Sequence, residues 1–252
     1  MGIRIKNFPN WTLILLIVLV GFAVYLSSLP GRFVWDDVHF IIDNVYLRNI
    51  NYLPQILTGD VAAGSGEDYN YYRPLTTVTY LFDYSFWELN PVGYHLSSIF
   101  LHLLVAVAVY GLTRLLFRYR LPAVLTGLFY AVHPIHTETV AYISGRPDAL
   151  AALFVLLALI AYFKNIDSPR PGYLIGIVIF SALSLLSREN SVVLPGLMIA
   201  FHLSFRKNIR WPAFLVPTVM ALAYVSIRMV LLGNSPAPTT LVQRIPGFFA
   251  AQ

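Results

Sequence analysis

Residues 11–29, WTLILLIVLVGFAVYLSSL, form an apolar run without a single charged side chain. A helix of about 20 such residues crosses the hydrocarbon core of a bilayer. Arg4 and Lys6 precede the run, and positive residues beside a span stay on the cytoplasmic side. A secretory signal peptide begins in a similar way, with residues 25–30 as an imperfect cleavage region, but its apolar part is shorter. The run therefore predicts an uncleaved anchor whose following loop lies outside the cytoplasm.

The composition is typical of a protein that is embedded in a lipid bilayer. Of 252 residues, 58% are hydrophobic and 12% are charged, whereas soluble domains carry about 25% charged residues. The net charge is +5, but a nucleic-acid-binding face requires clustered Lys and Arg, and here they lie in small groups between apolar runs. The lipid bilayer is therefore the predicted partner, with no nucleic acid. The absence of cysteine excludes disulfides, Cys-ligated zinc and a thiol nucleophile.

Six more apolar runs follow the first. They are Tyr94 to Phe117, Pro122 to Val140, Asp148 to Phe163, Tyr173 to Leu186, Ser191 to Phe205 and Pro212 to Leu232. Basic clusters follow the second, fourth and sixth spans, including Arg206 and Lys207, and all fall on the side of Arg4 and Lys6. The prediction is an all-α, polytopic transmembrane bundle of about seven spans. Its long first outer loop, 31–93, carries short helices, and no repeat or low-complexity segment divides the membrane domain 1–252.

Charged and polar residues collect in three segments on the predicted outer side. The segments contain Asp36, Asp37 and Arg73; His133, His136, Glu138, Arg146 and Asp148; and Arg188 and Glu189. Each group also has a simpler interpretation: a solvated helix start for the paired acids, an arginine that snorkels to headgroups, local ion pairs or turns for the rest. Because ionisable groups near the membrane are costly and usually functional, their convergence on one face predicts a site.

A metal site is an open question at this stage. His133 and His136 are three residues apart, which on a helix places both on one face and suits a metal. Pro134 between them argues against a regular helix. The paired acids Asp36 and Asp37 are compatible with a divalent metal, so the sequence leaves the presence of a metal undecided.

The pairing of carboxylates with arginines suits group transfer from an anionic, lipid-linked donor. One carboxylate would take a proton from an acceptor hydroxyl, and arginines would stabilise charge on the leaving phosphate. A transporter or flippase is an alternative that expects ionisable residues deep in several spans and inverted repeats. A noncatalytic scaffold is a third interpretation, and it predicts that replacement of Asp36 and Asp37 leaves function intact.

Six motifs carry a family resemblance. They are Trp35-Asp36-Asp37, Tyr72-Arg73-Pro74-Leu75, Gly93-Tyr94-His95-Leu96 with His102, His133-Pro134-Ile135-His136-Thr137-Glu138-Thr139-Val140, Ile143-Ser144-Gly145-Arg146-Pro147-Asp148 and Ser187-Arg188-Glu189. In this order they resemble the GT-C glycosyltransferases, and in particular the transmembrane-and-tetratricopeptide-repeat O-mannosyltransferases and their bacterial relatives. That family more often has Lys where this chain has Arg188.

The resemblance implies an inverting transfer of a hexose, expected to be mannose, from a polyprenyl-phosphate sugar to a protein or glycan hydroxyl on the outer side. By the same resemblance, Asp36 or Asp37 is the catalytic base. The candidates for holding the lipid phosphate are Arg73, Arg146 and Arg188, and those for lining the cavity are His133, His136, Glu138, Asp148 and Glu189.

The resemblance further implies more spans and a tetratricopeptide-repeat domain. Because residues 241–252 look like a loop that enters further structure, the chain is expected to be a fragment that alone need not be active. A bacterial inner membrane is favoured over the endoplasmic reticulum, because the outer loops lack an Asn-x-Ser/Thr acceptor and the match at 10–12 would face the cytoplasm.

Overall fold

The computed structural model describes residues 9–205 and 208–233, and within them every regular element is a helix. The α-helices are α1 (Asn10–Tyr25), α2 (Leu53–Thr58), α3 (Pro74–Trp87), α4 (Pro91–Phe117), α5 (Arg120–Val132), α6 (Thr137–Ala141), α7 (Arg146–Asp167), α8 (Pro171–Ser187), α9 (Leu194–Phe205) and α10 (Trp211–Gly233). The predicted all-α class is confirmed. Arg4, Lys6, Arg206, Lys207 and residues 241–252, on which parts of the topology depended, lie outside the described residues.

Within residues 9–205 and 208–233, four helical stretches are long and apolar enough to cross a bilayer. They are Asn10–Ser28, Pro91–Phe117, Ile143–Asp167 and Trp211–Met229. The other apolar helices are shorter: α5 has 13 residues, α8 has 17 and α9 has 12. The membrane-like helical class is confirmed by the long apolar helices. A straight span needs about 20 residues, which the shorter helices do not reach, so the number of seven spans stays a prediction.

The third predicted span, Pro122 to Val140, is wrong in its second half. Helix α5 ends at Val132, and His133 has an extended backbone with φ −69° and ψ 127°. The cause is Pro134, because a proline keeps the residue before it out of the helical region. The Nδ1 atom of His133 then accepts a hydrogen bond of 3.2 Å from the backbone N–H of Ile135. A 3-10 turn and the short α6 follow, so residues 133–145 form a broken connection.

The bundle has its centre at α4 and α7, which contact each other and the flanking helices. On one side, α7, α8 and α9 enclose Ala158, Tyr162, Ile177 and Met198, all without solvent exposure. On the other side, α1, α4 and α5 bury Ile17 with its neighbours. Small residues such as Ala158 let helices approach closely, and the resulting van der Waals packing is one of the forces that hold helices together in lipid.

The first outer loop has a hydrophobic core of its own. Its buried residues pack against the start of α4 and against Ile143; they are Phe40, Ile41, Leu47, Ile56, Tyr80 and Leu81. Buried Asn44 holds the loop together, since its amide donates to the carbonyl oxygens of Phe40 (3.3 Å) and Val61 (3.0 Å). The loop is therefore a folded cap. We call the end of the bundle formed by residues 31–90, 133–145 and 188–193 the outer end.

Candidate active site

Asp37 anchors the first outer loop. Its side chain is fully buried and accepts hydrogen bonds from the backbone N–H of Val34 (2.9 Å), from the backbone N–H of Ser144 (2.8 Å) and from the Ser144 hydroxyl. Burial raises the pKa of Asp37, and these hydrogen bonds act against that rise. Because the bonds join the loop to the 133–145 connection, Asp37 is placed to position its neighbours and lies out of reach of a bulky substrate.

Asp36 lies on the accessible side of the same turn. Trp35 before it has a left-handed backbone with φ 51° and is 81% exposed, and its ring meets Tyr142 edge-on at 5.8 Å. Such a backbone costs about 1–3 kcal/mol and often marks a functional turn. Burial and a hydrogen bond with Asp36 raise the pKa of Tyr142. The phenol therefore stays protonated and donates to the half-buried Asp36 carboxylate.

Arg73 and Glu189 form a two-point ion pair across the outer end. The Arg73 Nε lies 3.1 Å from Glu189 Oε2, and Nη2 lies 2.6 Å from Oε1. The Arg73 guanidinium also covers the ring of Tyr71 at 4.3 Å. Burial acts to raise the pKa of Glu189, but the hydrogen bond and charge of Arg73 outweigh it and the pKa is lowered. The pair ties the beginning of α3 to the connection between α8 and α9.

Glu189→Gln is expected to lower the free energy of unfolding by about 2 kcal/mol at pH 7, because a neutral amide no longer balances Arg73. The pKa of Glu189 is lower in the folded state than its unfolded value of about 4.3. The pairing therefore stabilises the fold above about pH 4.3 and is lost as the pH falls through the folded-state pKa. Thermal unfolding of the detergent-solubilised protein between pH 3 and 7 measures this difference.

The matched control for this prediction is Glu88→Gln, which removes an exposed carboxylate from the same loop. We expect it to change the free energy of unfolding by less than about 0.5 kcal/mol at every pH. A difference between wild type and Glu189→Gln that stays constant from pH 7 to pH 3 would contradict the ion pair described here.

Arg188 and Asp148 form a second, more accessible ion pair. Arg188 Nη1 contacts Asp148 Oδ2, and their side chains are 26% and 45% exposed. Arg188 has an extended backbone because α8 ends at Ser187, whose carbonyl oxygen accepts a hydrogen bond of 3.2 Å from Thr76. The guanidinium thus reaches the surface of the outer end, where an incoming anion can contact it.

Arg146 is placed differently from the sequence-based expectation. Its side chain is completely buried, and its Nη1 lies 2.5 Å from Asp83 Oδ2. Its Nη1 also donates to Thr79 Oγ1 (3.3 Å), and Nη2 donates to the Tyr94 carbonyl oxygen (3.0 Å). The predicted ligand of the lipid phosphate is therefore enclosed, because Asp83 of α3 supplies a counter-charge inside the protein. Arg146 holds α3 against α4 and α7.

The two histidines of the 133–145 connection pack on aromatic rings. The His136 ring lies 4.1 Å from that of Tyr130, and the His133 ring lies 4.7 Å from that of Phe129. Burial lowers the pKa of His136, so its ring is neutral at pH 7. Glu138 is exposed. Among residues 9–205 and 208–233, no group of three or more His, Asp or Glu is arranged to hold a metal ion.

Arg228 joins the site although sequence reasoning missed it. Its Nη1 lies 4.0 Å from Glu189 Oε2 and donates to the hydroxyl of Tyr224 at 3.3 Å. Arg228 is the only charged residue in the apolar run 212–232. An ionisable residue within a span is by itself a candidate for function, so this signal was present in the sequence.

Fold and site together define a class: a helical membrane protein that holds an accessible carboxylate and arginine–carboxylate pairs at one end of its bundle. Residues 75–231 match the family model described as dolichyl-phosphate-mannose-protein mannosyltransferase. The chain belongs to this family, and with four long apolar helices in the part that the structure describes it is an integral membrane protein. The resemblance to the O-mannosyltransferases drawn from its motifs is confirmed.

Curated relatives support the same assignment. The chain is 31% identical to protein O-mannosyl-transferase F38B6.6 of Caenorhabditis elegans over 92% of this chain and 34% of the relative. It is 34% identical to protein O-mannosyl-transferase TMTC1 of Homo sapiens over 73% of this chain and 23% of the relative. Identity to TMTC3 of Mus musculus is 36% over 62% of this chain and 17% of the relative.

The chain thus spans about a third or less of the length of these curated relatives. No solved structure matches it. The relatives named here are animal proteins, so they give no support to the bacterial inner membrane that the sequence analysis favoured. The further spans and the tetratricopeptide-repeat domain stay predictions.

Proposed function

We propose that this chain is the membrane part of an enzyme that transfers mannose from polyprenyl-phosphate mannose to a protein hydroxyl, with inversion, on the non-cytoplasmic side. The observation that carries the proposal is the contrast within the acid pair. Asp37 is buried and satisfied by three hydrogen bonds, whereas Asp36 is only half-buried, in the loop that follows the first membrane helix. A buried anchor that presents a neighbouring carboxylate is the arrangement that a general base needs.

Asp36 is the proposed catalytic base. Its carboxylate takes the proton of the acceptor hydroxyl as the hydroxyl oxygen bonds to the anomeric carbon of mannose. The bond between that carbon and the phosphate oxygen breaks, and the polyprenyl phosphate leaves with the electron pair. A single displacement of this kind inverts the anomeric configuration. Tyr142, which donates to Asp36, positions the carboxylate in this proposal.

Arg188 is the proposed ligand of the leaving phosphate. Its guanidinium reaches the surface beside the exposed Asp148, and a planar guanidinium can hold two phosphate oxygens at once. Arg73 acts through Glu189 in this proposal, since its Nε and Nη2 atoms already bind the two carboxylate oxygens of Glu189. Fixed positive charge beside developing negative charge stabilises the transition state. We propose from the family resemblance that His133, His136 and Glu138 line the cavity that receives the donor.

The proposed function predicts which sugar donor the enzyme uses and which anomeric configuration the product has. Membranes that express the protein at its full gene length, supplied with radiolabelled polyprenyl-phosphate mannose of known anomeric configuration, are expected to label a Ser/Thr peptide. Transfer from a nucleotide-linked mannose should be at background level when synthesis of the lipid-linked form is blocked. A mannosidase specific for the opposite anomer should release the label.

Membranes from cells that lack the gene provide the control for background transferases. Direct transfer from the nucleotide sugar, or a product with the donor's own anomeric configuration, would overturn the proposed donor or the proposed inversion respectively. Sealed vesicles of known orientation, with the peptide added outside, report the side on which transfer occurs. A chelator titration of the same assay tests whether the reaction requires a divalent metal, a question that the sequence leaves open.

A further inference from the structure

A cavity of about 830 Å³ lies between residues 57–72 of the first outer loop and the last described helix, α10. Leu57 and Ile227 supply apolar wall from the two sides, and Tyr72 and Tyr224 add aromatic surface. Sites that bind organic ligands typically have volumes of about 300–1,000 Å³, with mostly apolar walls and a few polar groups. The cavity has the size and lining for a short polypeptide segment, and it is not part of the chemistry assigned above.

The cavity adjoins the proposed active site. Arg228 lines it, and the same side chain lies 4.0 Å from Glu189, the partner of Arg73. Tyr72 lines it from the other side and directly precedes Arg73. The Tyr72 hydroxyl donates to the carbonyl oxygen of Leu57 at 2.9 Å, which fixes the ring at the boundary. A ligand in the cavity would therefore lie beside the Arg73–Glu189 pair, and Glu189 directly follows Arg188, the proposed ligand of the donor phosphate.

The charge of the cavity selects against an anionic occupant. Three carboxylates, those of Asp60, Glu67 and Asp68, face one guanidinium, that of Arg228. Asp60 is engaged by the backbone N–H groups of Ala62 and Tyr71, and one oxygen of Asp68 accepts a hydrogen bond from the backbone N–H of Asn70. Glu67 and Asp68 are both exposed. Like charges across a binding site disfavour a partner by repulsion, so a lipid phosphate is a poor fit. A neutral or cationic segment is complementary.

We propose that this cavity binds the acceptor polypeptide and that Glu67 and Asp68 favour acceptors with Lys or Arg near the modified hydroxyl. The inference rests on the proposed function, because it treats the outer end as the place where mannose is transferred. Apolar and aromatic wall contacts the side chains of the segment, and the carboxylates contact its basic residues. The cavity then sets acceptor choice, whereas Asp36 and Arg188 perform the transfer.

Photocrosslinking tests the location without requiring transfer. A benzoylphenylalanine placed at Ile227, which is 60% exposed, should crosslink a biotinylated Lys-Ser-Thr-Lys-containing peptide in membranes without donor, and excess unlabelled peptide should abolish the signal. The matched control is the same probe at Leu222 of the same helix, which is 63% exposed and outside the cavity. Equal labelling at both positions, or labelling that unlabelled peptide does not reduce, would overturn the proposed location.

A specificity measurement tests the role of the charge. We expect the KM for a Lys-flanked peptide to be roughly fivefold lower than that for a Glu-flanked peptide of equal length, as two exposed ion pairs would give. Glu67→Gln with Asp68→Asn should bring the ratio close to one. The control Asp43→Asn with Glu88→Gln removes the same charges from exposed positions outside the cavity and should keep the ratio.

The outcomes separate this inference from the proposed function. Transfer by wild type without any preference between the peptides would overturn the acceptor inference and leave the transferase standing. Crosslinking at Ile227 without transfer would support the cavity and count against the transferase. Absence of both crosslinking and transfer would overturn both.

Discussion

Asp36→Asn is expected to lower kcat for mannose transfer by roughly 10²- to 10⁴-fold, the range that a general base contributes. The asparagine side chain keeps the shape of the carboxylate and can still accept a hydrogen bond from Tyr142, but it does not take up a proton at neutral pH. Donor binding depends on arginines at other positions, so the KM for the lipid-linked donor should change little. Initial rates with the radiolabelled donor in membranes, normalised to the amount of protein, measure both quantities.

Two variants of neighbouring acids make this test specific. Asp37→Asn should lower transfer and also the unfolding temperature, because an amide cannot accept the full set of bonds from Val34 and Ser144. Asp43→Asn removes a carboxylate whose side chain is 50% exposed and should transfer mannose at the wild-type rate. If Asp36→Asn stays within threefold of wild type while Asp37→Asn is inactive and folded, the base is Asp37. Full transfer in both favours the scaffold interpretation.

The difference between Asp36 and Asp37 illustrates what the sequence contains and what it does not. The pair was recognised from its position behind the first apolar run, but neighbouring residues of the same type are equivalent in a sequence. They become different mainly because Ser144, 107 positions further along the chain, donates two hydrogen bonds to Asp37. Contacts of such separation depend on how the first outer loop folds on α4, and hydropathy carries no information about that packing.

The helices could be predicted from the sequence where contact with lipid requires apolar side chains. α1, α4, α7 and α10 coincide with long apolar runs, because a helix in contact with lipid must be apolar on most of its surface. Hydropathy gave the wrong structure for the beginning of the connection 133–145. This segment contains enough apolar residues to extend the predicted span, but Pro134 ends the helix. Hydropathy indicates whether a segment is apolar enough to lie in lipid, and it does not report the backbone conformation of that segment.

The family resemblance of the motif Ile143-Ser144-Gly145-Arg146-Pro147-Asp148 implied that Arg146 holds the lipid phosphate. The structure instead pairs it with Asp83, which the sequence places in a separate segment. A fully buried guanidinium requires a counter-charge within hydrogen-bonding distance, so one of the acids in the first loop had to fill that role. The sequence shows that both residues exist, but the choice of Asp83 depends on the packing of α3 against α7.

Asp83→Asn is therefore expected to destabilise the protein by about 3–5 kcal/mol, the cost of leaving a buried charge without its partner. Arg146 has no exposed side-chain surface and Asp83 has 9%, so water cannot replace the lost carboxylate. The contact to Asp83 is a close ion pair, and the Ser97 hydroxyl holds the other carboxylate oxygen at 2.6 Å. Thermal and denaturant unfolding of the detergent-solubilised protein measure the loss.

The double variant Asp83→Asn with Arg146→Met decides whether the loss comes from the charge. Removing both partners of a buried pair is often close to neutral, so the second substitution should recover most of the stability lost in the first. Asp43→Asn, at an exposed position of the same loop, should remain within about 0.5 kcal/mol of wild type. If stability recovers and transfer does not, Arg146 would have to bind the donor, because the fold would then be intact while the reaction still required its guanidinium. Recovery of both would establish that Arg146 acts by holding α3 in place.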